Sequence, residues 1–319
     1  MPATQLKFEK PLADLENRTA ALRDYAICAD SDIGGLVEGL AARTQELHEY
    51  FWRNLSPWEK VLTARNPMRP QPLDLCRRLF TDFIELHGDR RYGDDAAICG
   101  GFAYFDGHPV MLVVSRKGRD FNEYVSTHFG CAQPEGYRKA LRLMQLAEKA
   151  DCPIIIFVDT PGAYPGIESE ERHIGEAIAC NLREMFRLKV PIVTVITGEG
   201  GSGGALGLAV GNRVLMLSNA YYSVITPEGC AAILWRTPDK AEEAAGALRL
   251  TAPDLLKLGI IDGIIQEPLD GAQSDYNATA DAIREVFRDL LPKLRRKNAR
   301  KLRDERYERF RKMGQYIEQ

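Results

Sequence analysis

Apolar positions recur at helical spacing through the first part of the chain. Leu12, Leu15, Thr19 and Leu22 form one stripe, and Leu36, Leu40, Leu47, Phe51 and Leu55 form a second. Side chains so spaced share one face of a helix. Between the stripes, Asp30-Ser31-Asp32 offers residue types that break and N-cap helices. The pattern predicts a helical hairpin over Leu12–Leu55, an arm that packs on the body or on another chain.

Asn66-Pro-Met-Arg-Pro-Gln-Pro72 then reads as a connector, followed by a helix over Leu73–Leu86. Beyond it the pattern changes. Ala97–Phe105 and Pro109–Ser115 read as strands joined by the turn Asp106-Gly107-His108. Helices are predicted over Pro134–Ala150, Ser169–Leu188 and Ser202–Val210, and buried strands over Pro153–Val158 and Pro191–Thr197. Short strands follow at Arg213–Leu217 and Tyr222–Ile225, and the chain is mostly helical from Asp239. This alternation predicts an α/β architecture with largely parallel strands. Two parts are expected: a helical arm with its connector over 1–72, and a body with C-terminal helices over 73–319.

The composition, 45% hydrophobic and 27% charged over 319 residues, supports a large core. A net charge of -3 predicts no general attraction to nucleic acid or an anionic membrane. The start, MPATQLKFEK, has no apolar segment of the secretory kind, and runs such as Ile154–Val158 and Val190–Ile196 are too short to span a bilayer. The seven cysteines contain no C-x-x-C pair, so no metal site is expected and a reduced, cytoplasmic chain is the simplest reading. Leu302, Arg306, Phe310 and Met313 give a thin stripe in the basic stretch Arg295–Lys312, which Asp304, Glu305 and Glu308 interrupt. This fits a solvated helix or a subunit contact better than nucleic-acid binding.

The candidate chemistry centres on Thr197–Leu206, TGEGGSGGAL. A phosphate loop needs Lys-[Ser/Thr] after its last glycine, and Gly204-Ala205 stands there instead. Gly200-Gly-Ser202-Gly-Gly204 satisfies the serine-elbow pattern, but all five histidines precede Ser202, against the Ser, acid, His order of α/β-hydrolases. An upstream histidine or a Ser-Lys pair remains open. Gly198, Gly200 and Gly203 fit a dinucleotide loop, but several strands precede them, whereas that loop follows the first strand of its fold. The fourth reading is an oxyanion hole. The first N–H groups of a helix lack internal partners, and the helix dipole favours an anion beside them. Glycines let a substrate approach such amides. Glycines that merely permit close helix–strand packing are the structural alternative, although five of the seven residues Gly198–Gly204 are glycine.

Four motifs then occur in order: Gly136-Tyr-Arg-Lys-Ala-Leu-Arg-Leu-Met-Gln145, Val158-Asp-Thr-Pro-Gly-Ala-Tyr-Pro-Gly166, Gly198-Glu-Gly-Gly-Ser-Gly-Gly-Ala205 and Ser223-Val-Ile-Thr-Pro-Glu-Gly-Cys230. With them the chain resembles, over nearly its whole length, the alpha-subunit family of the bacterial and plastid acetyl-CoA carboxylase carboxyltransferases. The resemblance implies a ClpP/crotonase-like fold, a spiral of ββα units. It implies transfer of a carboxyl group from carboxybiotin, on a biotin carboxyl carrier protein, to acetyl-CoA, giving malonyl-CoA for fatty acid synthesis. It implies a beta-subunit partner that holds zinc and most of the CoA site, an alpha2beta2 assembly, and a separate biotin carboxylase that consumes ATP.

By the same resemblance, Gly203, Gly204 and Ala205 donate backbone N–H groups to the biotin oxygen, and Gly200 and Gly201 shape the approach. On that reading, Gly204→Val blocks the amides while leaving assembly intact. Gly162 and Gly166 shape the pocket wall, and Tyr164 packs against biotin or in the core. Lys117 and Arg119 attract a carboxylate or phosphate, or form a surface cluster. Val114-Ser-Arg116 departs from the family's usual histidine- and glutamine-bearing run there. Thr226–Gly229 is a candidate second wall, with Glu228 a candidate base. The departing biotin nitrogen is another candidate base, which leaves the hard chemistry to the cofactor. A crotonase-fold acyl-CoA hydrolase or decarboxylase acting alone is the alternative enzyme, and a non-catalytic scaffold the alternative of another class.

Overall fold

The computed structural model describes residues 6–28 and 33–314, so the expected break at Asp30–Asp32 lies outside the described residues. In chain order the helices are α1 (Lys10–Cys28), α2 (Gly34–Arg53), α3 (Pro57–Ala64), α4 (Pro72–Leu79), α5 (Phe121–Ser126), α6 (Pro134–Lys149), α7 (Ile167–Glu171), α8 (Ile174–Arg187), α9 (Ser202–Leu206), α10 (Pro227–Trp235), α11 (Ala241–Leu248), α12 (Ala252–Lys257), α13 (Tyr276–Arg295) and α14 (Ala299–Arg311). The strands are β1 (Thr81–Glu85), β2 (Ile98–Phe105), β3 (His108–Ser115), β4 (Ile154–Thr160), β5 (Ile192–Gly201), β6 (Arg213–Leu217), β7 (Tyr221–Ser223) and β8 (Gly263–Ile265).

The strands form one sheet ordered β1-β2-β3-β4-β5-β6-β8, with β7 also on β5. β1, β2 and β3 are antiparallel; β3 through β6, β8 and β7 pair in parallel. β4 and β5 are buried on both faces and are largely apolar over Ile154–Val158 and Ile192–Ile196, as strands covered on two sides require. On one face Phe105 and Phe157 meet Phe80, at the end of α4, and Phe287, from the middle of α13. Gly100, five residues before Phe105 on β2 and so on the other face, lies under Leu143 of α6.

Several elements depart from the sequence reading. The helix expected over Leu73–Leu86 stops at Leu79, where Phe80 turns extended (φ -123°) and inserts its ring among the core aromatics. Thr81–Glu85 then runs as an exposed edge strand, whose Phe83 and Ile84 mimic a continuing apolar stripe. The helix expected over Ser169–Leu188 is two pieces, divided where His173 adopts a left-handed backbone (φ 64°). β5 continues past Thr197 to Gly201, and the helix after it ends at Leu206 rather than Val210.

α3 was not foreseen, although Ser56-Pro57-Trp58-Glu59 carries its signal. The Ser56 hydroxyl accepts from Glu59 N–H at 3.2 Å and Glu59 Oε2 accepts from Ser56 N–H at 2.7 Å, with proline in the first turn. Val61 and Ala64 of this helix belong to the core. α14 is not simply solvated. Arg306 is fully buried, and its guanidinium donates to the carbonyls of Leu188 and Val190, each at 3.1 Å, to Asn212 Oδ1 at 3.0 Å, and to the Met185 carbonyl. Burial draws its pKa down to about 10.

α1 and α2 form the expected hairpin, joined by Thr19 and Thr44 hydroxyls 3.2 Å apart and by Arg23 on Glu38 at 2.9 Å. Leu36, Leu40 and Leu47 of the predicted stripe are nevertheless exposed, while Trp52 and Leu55 are buried. The arm meets the body where both ring nitrogens of His48 bond carboxylates, Glu16 of α1 and Asp270 of the body. Burial opposes charge on His48, but Asp270 and Glu16 outweigh it and raise the imidazole above its ordinary 6.5. A raised folded value means the contribution is present below 6.5 and lost as pH rises through the folded pKa. In thermal denaturation, wild type is therefore expected to exceed His48→Gln in stability below pH 6.5 and to lose that advantage on alkaline titration. A pH-independent difference would contradict this.

Candidate functional site

The glycine segment lies where β5 changes partners. β5 pairs with β6 over Val193–Ile196, then with β7 over Glu199–Gly201. On its other side the register with β4 slips between Val158 and Thr160, so that Thr160 faces Gly200. This irregularity is held by Asp159, whose Oδ1 accepts from Glu199 N–H at 2.8 Å. The ends of β4 and β5, with the loop Pro161–Gly166 and the start of α9, therefore meet at the carboxyl edge of the parallel strands. Ligands of open α/β sheets bind there.

The approach is backbone to backbone. A Cβ on Gly201 would lie 2.0 Å from the Pro161 carbonyl oxygen, and one on Gly204 would lie 2.4 Å from the Gly162 carbonyl carbon. Both positions exclude side chains for packing reasons alone. Gly204→Val therefore strikes the loop, so it does not test the amides cleanly. Gly203 differs: a Cβ there meets only Ile178 Cδ1, at 3.7 Å. Gly203 is half-buried, whereas Gly204 and Ala205 are buried. Gly203, Ser202 and Leu206 border an open groove of about 1070 Å³ that also touches Tyr222, Ser223 and α14. Ser202 is exposed and left-handed (φ 47°), an unusual state for a residue with a side chain. Its hydroxyl bonds no histidine or lysine among the described residues.

Gly162 and Gly166 shape the half-buried loop, and Tyr164 lies between them, its ring 4.9 Å from that of His128. His128, Phe129 and Gly130 are three successive left-handed residues (φ 49°, 56° and 84°). Their turn is tied to β4 by Thr160 Oγ1, which donates to the Gly130 carbonyl at 2.7 Å. Strain of this kind persists where surroundings over-determine the backbone.

Beneath the glycines sits a network of buried charge that the sequence reading missed apart from Lys117 and Glu228. Lys117 Nζ lies 2.6 Å from Asp159 Oδ1 and 2.7 Å from Glu199 Oε1. Glu199 Oε2 accepts from Arg65 Nε at 2.8 Å and from the Tyr221 hydroxyl at 2.6 Å. Arg65 continues to Glu228, with Nη1 2.5 Å from Oε1. Burial opposes ionisation of Glu199, but Lys117 and Arg65 outweigh it and hold its pKa at about 2. Burial likewise opposes charge on Lys117, and Asp159 and Glu199 raise its pKa in spite of it. Arg119 does not join this network. It is exposed and bonds Asp74 of α4. No signal in the local sequence pairs Arg65 with Glu199; the fold brings them together across 134 residues. Among the described residues no group of three or more His, Cys, Asp or Glu is arranged to hold a metal, and no helix is long and apolar enough to cross a membrane.

Known proteins resemble this chain at two levels, in fold and in sequence. Among solved structures, the Pseudomonas malonate decarboxylase hetero-tetramer in complex with coenzyme A aligns with TM-score 0.59 and 17% identity, over 74% of this chain and 91% of that one. Transcarboxylase 12S aligns with TM-score 0.55 and 21% identity, over 69% of this chain and 42% of that one. These likenesses establish the fold as crotonase-like. In sequence, the acetyl-coenzyme A carboxylase carboxyl transferase subunit alpha of Geobacter metallireducens is 52% identical, over 98% of each chain. The protein of the same name from Bordetella pertussis is 50% identical over 100% of this chain and 99% of that one. The family described as "Acetyl co-enzyme A carboxylase carboxyltransferase-like" matches residues 5–314. With its fold, its glycine-lined strand ends and these full-length identities, the chain belongs to that family.

Proposed function

We propose that this chain is the alpha component of a biotin-dependent carboxyltransferase, which with a beta subunit moves a carboxyl group from carboxybiotin to acetyl-CoA, giving malonyl-CoA. The observation that carries the reading is the accessible backbone at Gly203, which lies in the first turn of a five-residue helix at the strand ends and borders a groove wide enough for a substrate. N–H groups at Ser202, Gly203 and Gly204 open α9 and have no partner within it. In this reading they donate to the biotin oxygen as negative charge develops on it with the departure of the carboxyl group. Carboxylated biotin, brought by its carrier protein, supplies the transferable carboxyl. The thioester oxygen of acetyl-CoA takes its donors from the beta chain, which also holds zinc.

The same reading gives other residues supporting work. Gly200, Gly201, Gly162 and Gly166 fix the path of two backbones, and Tyr164 forms a wall. Lys117 and Arg119 already face carboxylates of this chain, so Lys117 positions β5 and Arg119 fastens α4 rather than meeting substrate. The exposed leucines of α2 favour a subunit contact within an alpha2beta2 assembly in the cytoplasm, served by a separate biotin carboxylase. A stand-alone hydrolase is disfavoured by Ser202, which has no base within hydrogen-bonding reach among the described residues.

Copurification with a four-cysteine beta chain, followed by assay of malonyl-CoA formation, tests the whole reading. An intact complex with no carboxyl transfer overturns it. Gly203→Val is expected to lower kcat about 100-fold, the scale of losing one oxyanion donor, with the melting temperature unchanged. Gly204→Ala is expected to destabilise by about 1–3 kcal/mol through overpacking against the loop, which calorimetry separates from a kinetic effect. Lys117→Met, which leaves Asp159 and Glu199 buried without their cation, is expected to destabilise by about 3 kcal/mol or more. The depressed Glu199 pKa gives a contribution present above 4.5 and lost as pH falls through about 2, so acid denaturation should steepen across that interval in wild type and not in Glu199→Gln.

A further inference from the structure

The groove beside α9 concentrates charge of one sign. Arg249, Lys257, Arg309 and Lys312 line it, and no Asp or Glu does among the described residues. The rest of its wall is largely apolar, including Leu206, Leu255 and Phe310. Arg249, Lys257 and Lys312 are exposed. Arg309 is not, with a side chain only 9% accessible. Its Nε donates to Asp262 Oδ2 at 2.8 Å, its Nη2 donates to the Ile260 carbonyl, and its guanidinium lies 4.8 Å over the Phe310 ring. Nη1 is buried and has no acceptor among the described residues.

That unsatisfied donor needs a physical reason. Leaving a buried N–H unpaired costs about 1–3 kcal/mol, more for a charged group. The two other contacts and the stacking hold the guanidinium in place at that cost. Tyr222 lines the same groove and pairs with Gly200 across β5 and β7. Burial raises the Tyr222 phenol to about 12, and the charge of Arg309 pulls it the other way, so the two groups are electrostatic neighbours.

We propose that the groove receives a ligand with an apolar body and a carboxylate tip, the carboxylate accepting from Arg309 Nη1 and the Tyr222 hydroxyl. A charge-assisted bond to an arginine already stripped of water is stronger than a neutral one. The exposed cations at the rim raise the local concentration of anions. This inference rests on the carboxyl-transfer reading, in which two species carry such a tip: carboxylated biotin before transfer and the malonyl thioester after it. Arg309 discriminates each from the counterpart that lacks the carboxylate tip, carrier-linked biotin or acetyl-CoA.

The test uses the complex with the beta chain and measures KM for carboxylated biotin and acetyl-CoA in the forward direction, and for malonyl-CoA and biotin in reverse. Arg309→Met is expected to raise KM for a carboxylate-tipped ligand by about tenfold or more, while the counterpart lacking the tip stays within about twofold. Arg309→Lys should recover part of the loss, and Tyr222→Phe should shift the same constant less. Asp262→Asn, which loosens the same helix but keeps Nη1, should leave the ratio between ligands with and without the tip unchanged. A rise confined to carboxylated biotin assigns the groove to the donor, and one confined to malonyl-CoA assigns it to the product. Equal rises for ligands with and without the carboxylate tip, or no change in a variant that melts as wild type does, overturn the proposal. If the wild-type complex transfers no carboxyl group, the parent reading fails instead. Calorimetric binding of malonyl-CoA against acetyl-CoA then decides the groove: a preference abolished in Arg309→Met supports it, and equal affinities in wild type reject it.

Discussion

Two backbones at van der Waals contact govern this molecule. Where β4 and β5 end, Gly201 and Gly204 lie so near Pro161 and Gly162 that not even a methyl group fits between them. The slip in register that permits this contact leaves Asp159 beneath β5, where it accepts from the Glu199 amide. β5 is then free to leave β6 and join β7, which opens the crevice occupied by α9. The orientation of the amides at Gly203 and the position of the groove both follow from that contact.

The contact has an electrostatic counterpart. Asp159 and Glu199 are drawn into the interior by the backbone they support, and two buried carboxylates demand cations. Lys117 from the end of β3 and Arg65 from the end of α3 supply them, with Tyr221 completing the set. An ion cluster of this kind contributes little net stability, since desolvation offsets attraction, but removing one member leaves its partners uncompensated. It is best understood as fixing one geometry at the strand ends. The groove is its opposite: among the described residues its lining carries cations and no acid, and Arg309, though paired with Asp262, keeps Nη1 free of any acceptor.

Much of this was written in the sequence where a pattern is local. The runs Ile154–Val158 and Val190–Ile196 became the central strands because they are almost wholly apolar, and the one hydroxyl among them, Thr194, donates to the Leu208 carbonyl. The hairpin across Asp106-Gly107-His108 and the amphipathic helix from Pro134 also formed as read. The misses share a cause, tertiary packing overriding local periodicity. Phe80 left its helix for an aromatic cluster, and the glycines after Thr197 extended a strand because β7, invisible to a local reading, was there to pair with them. The motif order pointed to the glycine site, but which glycines serve contact and which leave room depended on what faces each. Arg65 and Arg309 carried no local signal, since their partners are distant in the chain or in the space beside it.

Arg306 gives the assembly an order in time. Synthesis proceeds from the N-terminus, and domains begin to fold as they emerge. Every strand of the sheet is made before α14, so the carbonyls of Leu188 and Val190 wait for a guanidinium that arrives late, while Asn212 Oδ1 already accepts from Ile192 N–H at 3.1 Å. Arg309 arrives on the same helix. A chain halted before Ala299 would hold the sheet and the glycine turn yet lack one wall of the groove. Anion recognition is thus deferred until α14 is made, and a chain halted before it lacks Arg309 with which to hold a ligand.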